Sequence, residues 1–179
     1  MLEKIKGNKA VWFLIKAITL YLLWHLIYKF YLAPQGIIDK FIINQIIKLS
    51  GAIIHFFGFP TIQNAPTDSI RVFGIDGSTG LWIGDPCNGL ALFALFSLFI
   101  IAYPGNYKDK LWYIPLGILT IHILNSIRVI ALTLIYHYWP NGLEFSHTYI
   151  FTTLMYGYIF LLWMIWANKY GATTENLKP

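Results

Sequence analysis

Long apolar runs separated by short polar stretches make up most of the chain. Four of these runs predict helices that cross a bilayer, for which about 20 apolar residues are needed. We place the spans at about 11–32, 88–103, 111–139 and 147–167. Pro34 and Gly36 end the first span, because neither residue favours the continuation of a helix. The pattern predicts an all-α integral membrane protein with about four transmembrane helices.

A further apolar run at residues 37–59 is long enough to cross the bilayer but carries several charges. Lys40, Asn44 and Lys48 recur every four residues and form one stripe of a helix. A helix with an apolar face and a charged stripe favours the plane of the membrane interface. We expect an amphipathic helix on the outer surface, with a fifth span as the alternative.

Between residues 60 and 86 the composition changes to Thr, Asn, Asp, Ser, Gly and Pro. Two short runs, 70–75 and 81–83, favour strands, and Asp76-Gly77 between them is a common hairpin turn. The sequence therefore predicts a small extramembrane flap, either a hairpin or a plain connecting loop, ahead of the next span. The polar residues 168–179 are expected to form a disordered cytoplasmic tail.

Composition agrees with this pattern and excludes a soluble domain. Of the 179 residues, 57% are hydrophobic and 12% are charged, about half the charged fraction of a soluble domain. The net charge of +5 comes from lysines at the ends of segments and forms no patch for nucleic acid. The positive-inside rule places the amino terminus, the loop with Lys108 and Lys110, and the tail in the cytoplasm. We expect one membrane-embedded domain over residues 1–179.

The only cysteine, Cys87, follows Asp85 and Pro86 where the flap meets an apolar run. Asp is a good N-cap and Pro a good first helical residue, so Cys87 is expected in the first turn of the span. There the free amide hydrogens and the helix dipole stabilise a thiolate. An inert, packed thiol is the alternative.

Topology brings two more residues to the level of Cys87. Arg128 lies 17 residues past Leu111, a rise of about 26 Å across a hydrocarbon core of about 30 Å. His147 begins the last span on the same, outer side. An arginine within a transmembrane helix costs about 2.5 kcal/mol or more and normally faces a polar cavity. Snorkelling to the headgroups is the alternative.

These residue types together predict acyl transfer through a thioester. His147 can serve as general base toward Cys87 and then as general acid toward a leaving amine, because the ordinary pKa of histidine lies near neutrality. Arg128 can pair with the thiolate or donate to the oxyanion of a tetrahedral intermediate. Asn125, one turn earlier, is expected to orient the guanidinium or a substrate carbonyl.

The order of these residues resembles the exosortase/archaeosortase family, most closely the short bacterial exosortases of the Bacteroidetes type. The resemblance is carried by Cys87-Asn88-Gly89-Leu90, Asn125-Ser126-Ile127-Arg128 and His147. It covers roughly residues 80–165. Asn88 departs from the family pattern, which more often has Ser or Thr between Cys and Gly.

The resemblance implies that Cys87 is the nucleophile, that Arg128 is the partner of the thiolate or oxyanion, and that His147 is the acid and base. The residues expected to bind substrate or to support these three are Asn125, Asn88, Gly89 and Asp85. No metal or other cofactor is expected.

The implied activity is that of a cysteine peptidase or transpeptidase in the bacterial inner membrane, with its site toward the periplasm. Its substrates would be exported proteins with a carboxyl-terminal sorting signal made of a short motif, a transmembrane helix and a basic cluster. The acyl group would pass to a surface acceptor. Membrane lipids are further expected partners, and nucleic acid is not.

Two other functions fit the same residues. A thiol acyltransferase that moves a lipid acyl group would use the same Cys87 and His147, and it predicts a hydrophobic slot open to lipid. A non-catalytic membrane scaffold would use Cys87 for packing and Arg128 for pairing with a partner helix. The scaffold predicts that Cys87→Ala is silent whereas Arg128→Leu is not.

Overall fold

The computed structural model describes residues 9–64 and 71–171. Predictions for Lys4, Lys6, Ile70 and the tail beyond residue 171 lie outside these residues. The tail was predicted to begin at Asn168, but Asn168 and Lys169 form the end of the last helix. The described part is mostly helical, as expected for an all-α membrane protein, and contains one small sheet. The assignment of the whole chain to a single domain stays a prediction.

Within the described residues, five long helices follow one another along the chain. They are α1 (Lys9–Ile27), α2 (Ile37–Phe56), α3 (Leu90–Ala102), α4 (Tyr107–Tyr138) and α5 (Phe151–Lys169). Two π-helical turns adjoin them: Tyr28–Leu32 extends α1, and Ser146–Ile150 precedes α5. Such turns are frequent at functional sites.

Three helical segments of the described chain are long and apolar enough to cross a membrane. They are Ala10–Gln35, Tyr107–Tyr138 and Pro140–Lys169, and they match the first, third and last of the four predicted spans. The remaining predicted span, 88–103, forms the apolar but shorter helix α3, which has 13 residues. The number of spans therefore stays a prediction.

The first helical segment ends at Gln35, directly before Gly36 as predicted, but it continues through Pro34, which was expected to help end it. Gly36 has a left-handed backbone with φ +61°, a conformation that glycine adopts without strain. Its amide donates to the carbonyl oxygen of Leu32 at 3.0 Å. Because α2 begins at the next residue, a single glycine separates the end of the first segment from α2.

In α2, most of the predicted polar stripe is exposed, but so are apolar residues such as Ile37 and Phe41, and the amphipathic character of the helix stays a prediction. Asn44 and Lys48 are exposed and Lys40 is half-buried. The opposite face is buried and contains Ile43, Ile46, Ile47 and Ile54. One acidic residue, Asp39, is also fully buried. The position of α2 in the plane of the interface stays a prediction.

The polar flap is a three-stranded antiparallel sheet and not a plain loop. Its strands are β1 (Thr61–Asn64), β2 (Arg71–Ile75) and β3 (Leu81–Ile83), in the order β1-β2-β3. Strands β2 and β3 form the predicted hairpin, in which Phe73 lies opposite Leu81. The strand β1, which the sequence pattern did not indicate, pairs with β2 so that Thr61 lies opposite Ile75. Its four residues are too few for a clear alternating pattern.

Two hydrophobic clusters hold these elements together. The isoleucine core joins α2, the sheet and α4, and consists of Ile43, Ile46, Ile47, Ile54, Phe73, Ile75, Ile83 and Val129. The aromatic core joins α3, α4 and α5, and consists of Phe93, Phe96, Ile100, Tyr113, Ile121, Met155, Ile159 and Trp166. Cys87 packs against the isoleucine core, so the predicted nucleophile is anchored by α2 and the sheet as well as by the membrane helices.

Candidate active site

Cys87 lies in a short 3₁₀ turn and not, as predicted, in the first turn of the helix that follows. The turn spans Asp85–Cys87, and α3 begins only at Leu90. The expectation that Asp85 caps this helix is also wrong, because the N-cap position is Gly89. The Leu90 amide donates to the side-chain Oδ1 of Asn88 at 2.7 Å, as in an Asx turn. A thiolate at Cys87 therefore depends on neighbouring side chains for stabilisation and not on a place within the helix.

Gly89 is the reason that the turn and α3 are separate elements. Its φ of +83° is a left-handed conformation that other residues adopt only with strain. A side chain here would also come within 3.1 Å of Asn125 Nδ2. Glycine thus gives Asn125 room to donate from Nδ2 to the carbonyl oxygen of Cys87 at 3.0 Å.

Side chains from three separate segments meet beside this turn. The Sγ of Cys87 lies 3.8 Å from His147 Nε2, and Arg128 Nη2 lies 2.9 Å from the same nitrogen. Arg128 Nη1 also donates to Asn125 Oδ1 at 3.4 Å. The structure thus brings Cys87, Arg128 and His147 together as the topology predicted, and Asn125 orients the guanidinium. Their catalytic roles stay predictions.

The protonation of His147 follows from its contact with Arg128. An arginine can only donate, so His147 Nε2 must accept, and the imidazole is then neutral with its proton on Nδ1. The same lone pair faces the thiol of Cys87. Arg128 Nε is buried and has no hydrogen-bond partner among the described residues. The guanidinium therefore keeps donor capacity that this arrangement does not use.

The three side chains line a cavity of about 290 Å³. Most of the remaining wall is aliphatic and is formed by Leu81, Ile83, Val129, Leu132 and Leu143. Trp82 and Glu144 complete the lining, and both are exposed. The polar groups are thus few and sit among apolar walls, as in most small-molecule and substrate sites.

A residue that sequence reasoning did not select, Asp39, contacts the residue after Cys87. Asp39 Oδ1 accepts from the hydroxyl of Tyr28 at 3.0 Å and from the side-chain amide nitrogen Nδ2 of Asn88. Its Oδ2 is buried and has no partner among the described residues. A single carboxylate within an otherwise apolar and basic helical run is the signal that could have indicated it.

Asp85 points to a different cavity, of about 210 Å³. This cavity is lined by Trp24, Tyr28, Asp85, Pro86, Asn88, Leu90 and Ala91. Burial and the nearby Asp39 carboxylate raise the pKa of Asp85, whereas Lys40 lowers it. Asp85 does not line the Cys87 cavity. Of the four predicted supporting residues, Asn88, Gly89 and Asn125 shape the nucleophile turn, and Asp85 lies outside the cluster.

Fold and site together define a helical membrane protein with a cysteine, an arginine and a histidine gathered from three segments at one apolar cavity. The model of the transmembrane exosortase family matches residues 5–167. The chain belongs to this family, which confirms the resemblance seen in its three short segments. Comparison with curated proteins and with solved structures gave no match.

Proposed function

We propose that this protein is a membrane-embedded cysteine transpeptidase or peptidase that forms a thioester on Cys87. The proposal rests on the surroundings of one atom, His147 Nε2. This nitrogen lies 3.8 Å from the thiol of Cys87 and 2.9 Å from Arg128 Nη2. A base within reach of a nucleophile and a permanent cation on the same atom are the parts that acyl transfer needs. Membership in the transmembrane exosortase family supports it.

In the first step, His147 takes the thiol proton on Nε2 while Cys87 Sγ forms a bond to the acyl carbon of the substrate. A protonated Nε2 can no longer accept from Arg128. The guanidinium is released from this nitrogen and pairs with the thiolate or with the developing oxyanion. Proton transfer to His147 therefore also frees the cation at the moment when negative charge appears.

The tetrahedral intermediate then breaks its carbon–nitrogen bond, and the leaving amine takes the proton from His147 Nε2. This leaves a thioester between Cys87 and the substrate. An acceptor nucleophile attacks the thioester carbon, gives its proton to His147, and releases Cys87 as a thiolate. An amine or hydroxyl acceptor gives transfer, whereas water gives hydrolysis, and neither route needs a cofactor.

The walls of the cavity favour an apolar residue on the acyl side of the cleaved bond. Leu132 and Val129 from α4, together with Leu143, line the same cavity as Cys87. Apolar walls exclude water, and the interaction of Arg128 with an oxyanion is stronger where the local dielectric constant is low.

The expected substrates are exported proteins, and we place the site on the periplasmic side of the inner membrane. The lysines Lys108 and Lys110 lie at the opposite end of α4 from Arg128, and basic loops favour the cytoplasm. A sorting signal with a short motif, a transmembrane helix and a basic cluster would bring its motif to the level of Cys87. The acceptor is a surface molecule that reaches the same side.

Labelling of Cys87 with a membrane-impermeant thiol reagent in spheroplasts tests site and orientation together, because the chain has a single cysteine. We expect rapid labelling from outside, and slower labelling in Arg128→Gln and in His147→Ala. His137→Ala is the matched control, since His137 lies on α4 and its ring contacts Tyr138. In the same strains, Cys87→Ser should leave exported proteins with their carboxyl-terminal segments uncleaved, as measured by mass spectrometry of the cell envelope.

Two outcomes would contradict the proposal. Labelling of Cys87 only from the cytoplasm would overturn the orientation. Normal processing in Cys87→Ser, together with a defect in Arg128→Leu, would favour a scaffold in which the arginine pairs with a partner helix.

A further inference from the structure

We propose that Asp39 is a positioning residue, whose carboxylate holds Asn88 and thereby fixes the turn that presents Cys87 to His147. This role rests on the proposed function, because it concerns the geometry of the nucleophile. It assigns a task to α2, a helix whose residues form no part of the Cys87 cavity.

The hydrogen bonds of Asn88 leave its side chain with one orientation. Its amide nitrogen donates to Asp39 Oδ1, and its amide oxygen accepts from the Leu90 amide. An amide NH₂ can only donate, so a carboxylate on one side and a backbone N–H on the other fix which way the amide faces. Asn88 is 1% exposed, so water does not compete for these contacts.

One carboxylate ties three segments of the chain together at this point. Tyr28 comes from the π-helical turn after α1, Asp39 from the first turn of α2, and Asn88 from the link between the nucleophile turn and α3. The amino-terminal end of a helix stabilises negative charge. The position of Asp39 in the first turn of α2 therefore makes a buried carboxylate tolerable there.

Packing alone does not explain a carboxylate at this position. Asp39 is 0% exposed, and its Oδ2 has no hydrogen-bond partner among the described residues. A buried polar atom without a partner is destabilising, whereas an apolar side chain would fill the space without this cost. The carboxylate of Asp85 also lies close enough to Asp39 for the two negative charges to repel each other. The gain from Asp39 must therefore come from the groups that it orients.

Asp39 helps to fix the backbone of the turn at Cys87 and Asn88. The Cys87 carbonyl oxygen is held by Asn125 of α4, and the next side chain is held by Asp39 of α2. The Sγ···Nε2 distance of 3.8 Å is at the long end of a thiol–imidazole contact. A small displacement of the turn would lose this contact, and misplacement by about 1 Å can cost about 100-fold in rate.

An exchange of the two side chains tests this role. In the double variant Asp39→Asn/Asn88→Asp, the new amide nitrogen takes the place of Asp39 Oδ1 and can donate one hydrogen to the new carboxylate, which can still accept from the Leu90 amide. Its other hydrogen can be donated to the Tyr28 hydroxyl, which then accepts instead of donating. In Asn88→Asp alone, two carboxylates face each other and repel. In Asp39→Asn alone, the new amide group can still accept from Asn88 but no longer carries charge.

The readout is the rate of alkylation of Cys87 from pH 6 to pH 9 in the purified full chain in lipid nanodiscs, with iodoacetamide as the probe. At pH 7 we expect Asn88→Asp to slow alkylation about tenfold, which corresponds to about 1.4 kcal/mol. Asp39→Asn should lie between this variant and the wild type. The exchange should return the rate and its pH profile to within about twofold to threefold of the wild type.

Ser50→Ala is the matched control, because Ser50 is a fully buried polar residue on the same helix. Its hydroxyl donates to the carbonyl oxygen of Ser126 at 3.3 Å and not to the turn. It should leave the alkylation profile unchanged even if it lowers the thermal midpoint. If Asn88→Asp does not fold, Asp39→Ala takes its place, with the same expected slowing.

The proposal is overturned if the Asp39 and Asn88 variants alkylate like Ser50→Ala, or if the exchange restores the thermal midpoint but not the rate. Failure of the proposed function would give a different pattern of alkylation rates. In that case His147→Ala and Arg128→Gln would alkylate like the wild type, whatever the Asp39 variants do.

Discussion

The isoleucine core and the aromatic core hold the molecule together by different kinds of contact. The isoleucine core adjoins a set of directed hydrogen bonds, in which Asp39, Asn125 and Arg128 each contact a defined atom. The aromatic core is built on ring packing: the Tyr113 and Trp166 centroids lie 5.1 Å apart with their planes tilted by 47°. The same chain thus uses exact polar geometry in one region and broad apolar contact in the other.

This difference predicts how each region responds to substitution. Aromatic pairs are favourable over a range of centroid distances from about 4.5 to 7 Å, so the aromatic core can shift slightly and keep its ring contacts. Hydrogen bonds weaken steeply with misalignment. We therefore expect changes beside Cys87 to alter reactivity more than stability, and changes in the aromatic core to do the reverse.

The largest effect is expected for Arg128→Lys. A lysine is a point charge and cannot donate to His147 and Asn125 together in the planar geometry of a guanidinium. We expect processing of exported proteins to fall about 100-fold or more, the cost of losing one oxyanion donor. The measurement is the fraction of substrate that keeps its carboxyl-terminal segment, with Arg71→Lys on β2 as the control. Wild-type processing in Arg128→Lys would show that charge alone suffices.

A smaller effect is expected for Gly89→Ala, which acts on the turn without removing a polar group. A left-handed backbone costs a non-glycine residue about 1–3 kcal/mol, and the new methyl group presses on Asn125. We expect alkylation of Cys87 to slow about tenfold, because relief of this strain moves the turn. The control is Gly157→Ala in α5, where an added methyl group meets nothing within 4 Å. Equal rates in both variants would contradict the importance of the turn.

The smallest effect is expected in the aromatic core, for Tyr113→Phe. The hydroxyl of Tyr113 donates to the carbonyl oxygen of Leu162 at 2.7 Å. Its loss should lower the free energy of unfolding by about 1 kcal/mol while the alkylation rate of Cys87 stays unchanged. Thermal unfolding in nanodiscs measures the first quantity, with the exposed Tyr156→Phe as the reference. A change in alkylation would mean that the two regions are coupled.

Local pattern and helix geometry were enough to predict the main helices and the meeting of Cys87, Arg128 and His147. The rise per residue predicted the position of Arg128 along its helix, and the expected topology placed His147 near the same level. In the structure, His147 lies inside the last helical segment, Pro140–Lys169, and not at its first residue. The end of the first helical segment was equally accessible, since Gly36 is a local signal.

The details of the turn were not accessible in this way. Asp85-Pro86 is a common start of a helix, but the left-handed Gly89 separates it from α3, and the Leu90 amide donates to the side chain of Asn88. The role of Asp39 could not be predicted for a different reason, because its partner Asn88 is 49 residues away in the sequence. Periodicity identifies the face of a helix but not the distant residue that covers it.

The length of α3 has a consequence for the chemistry at its amino-terminal end. Its 13 residues span only about 20 Å of a hydrocarbon layer about 30 Å thick. Its carboxyl-terminal end is held at the charged ammonium group of Lys110, which donates to the carbonyl oxygens of Ile101 and Tyr103. In the proposed topology, that end lies at the cytoplasmic boundary and the Cys87 turn lies below the outer one. We therefore expect bilayer thickness to affect the proposed reaction, because it would change how readily water and an acceptor reach a thioester on Cys87.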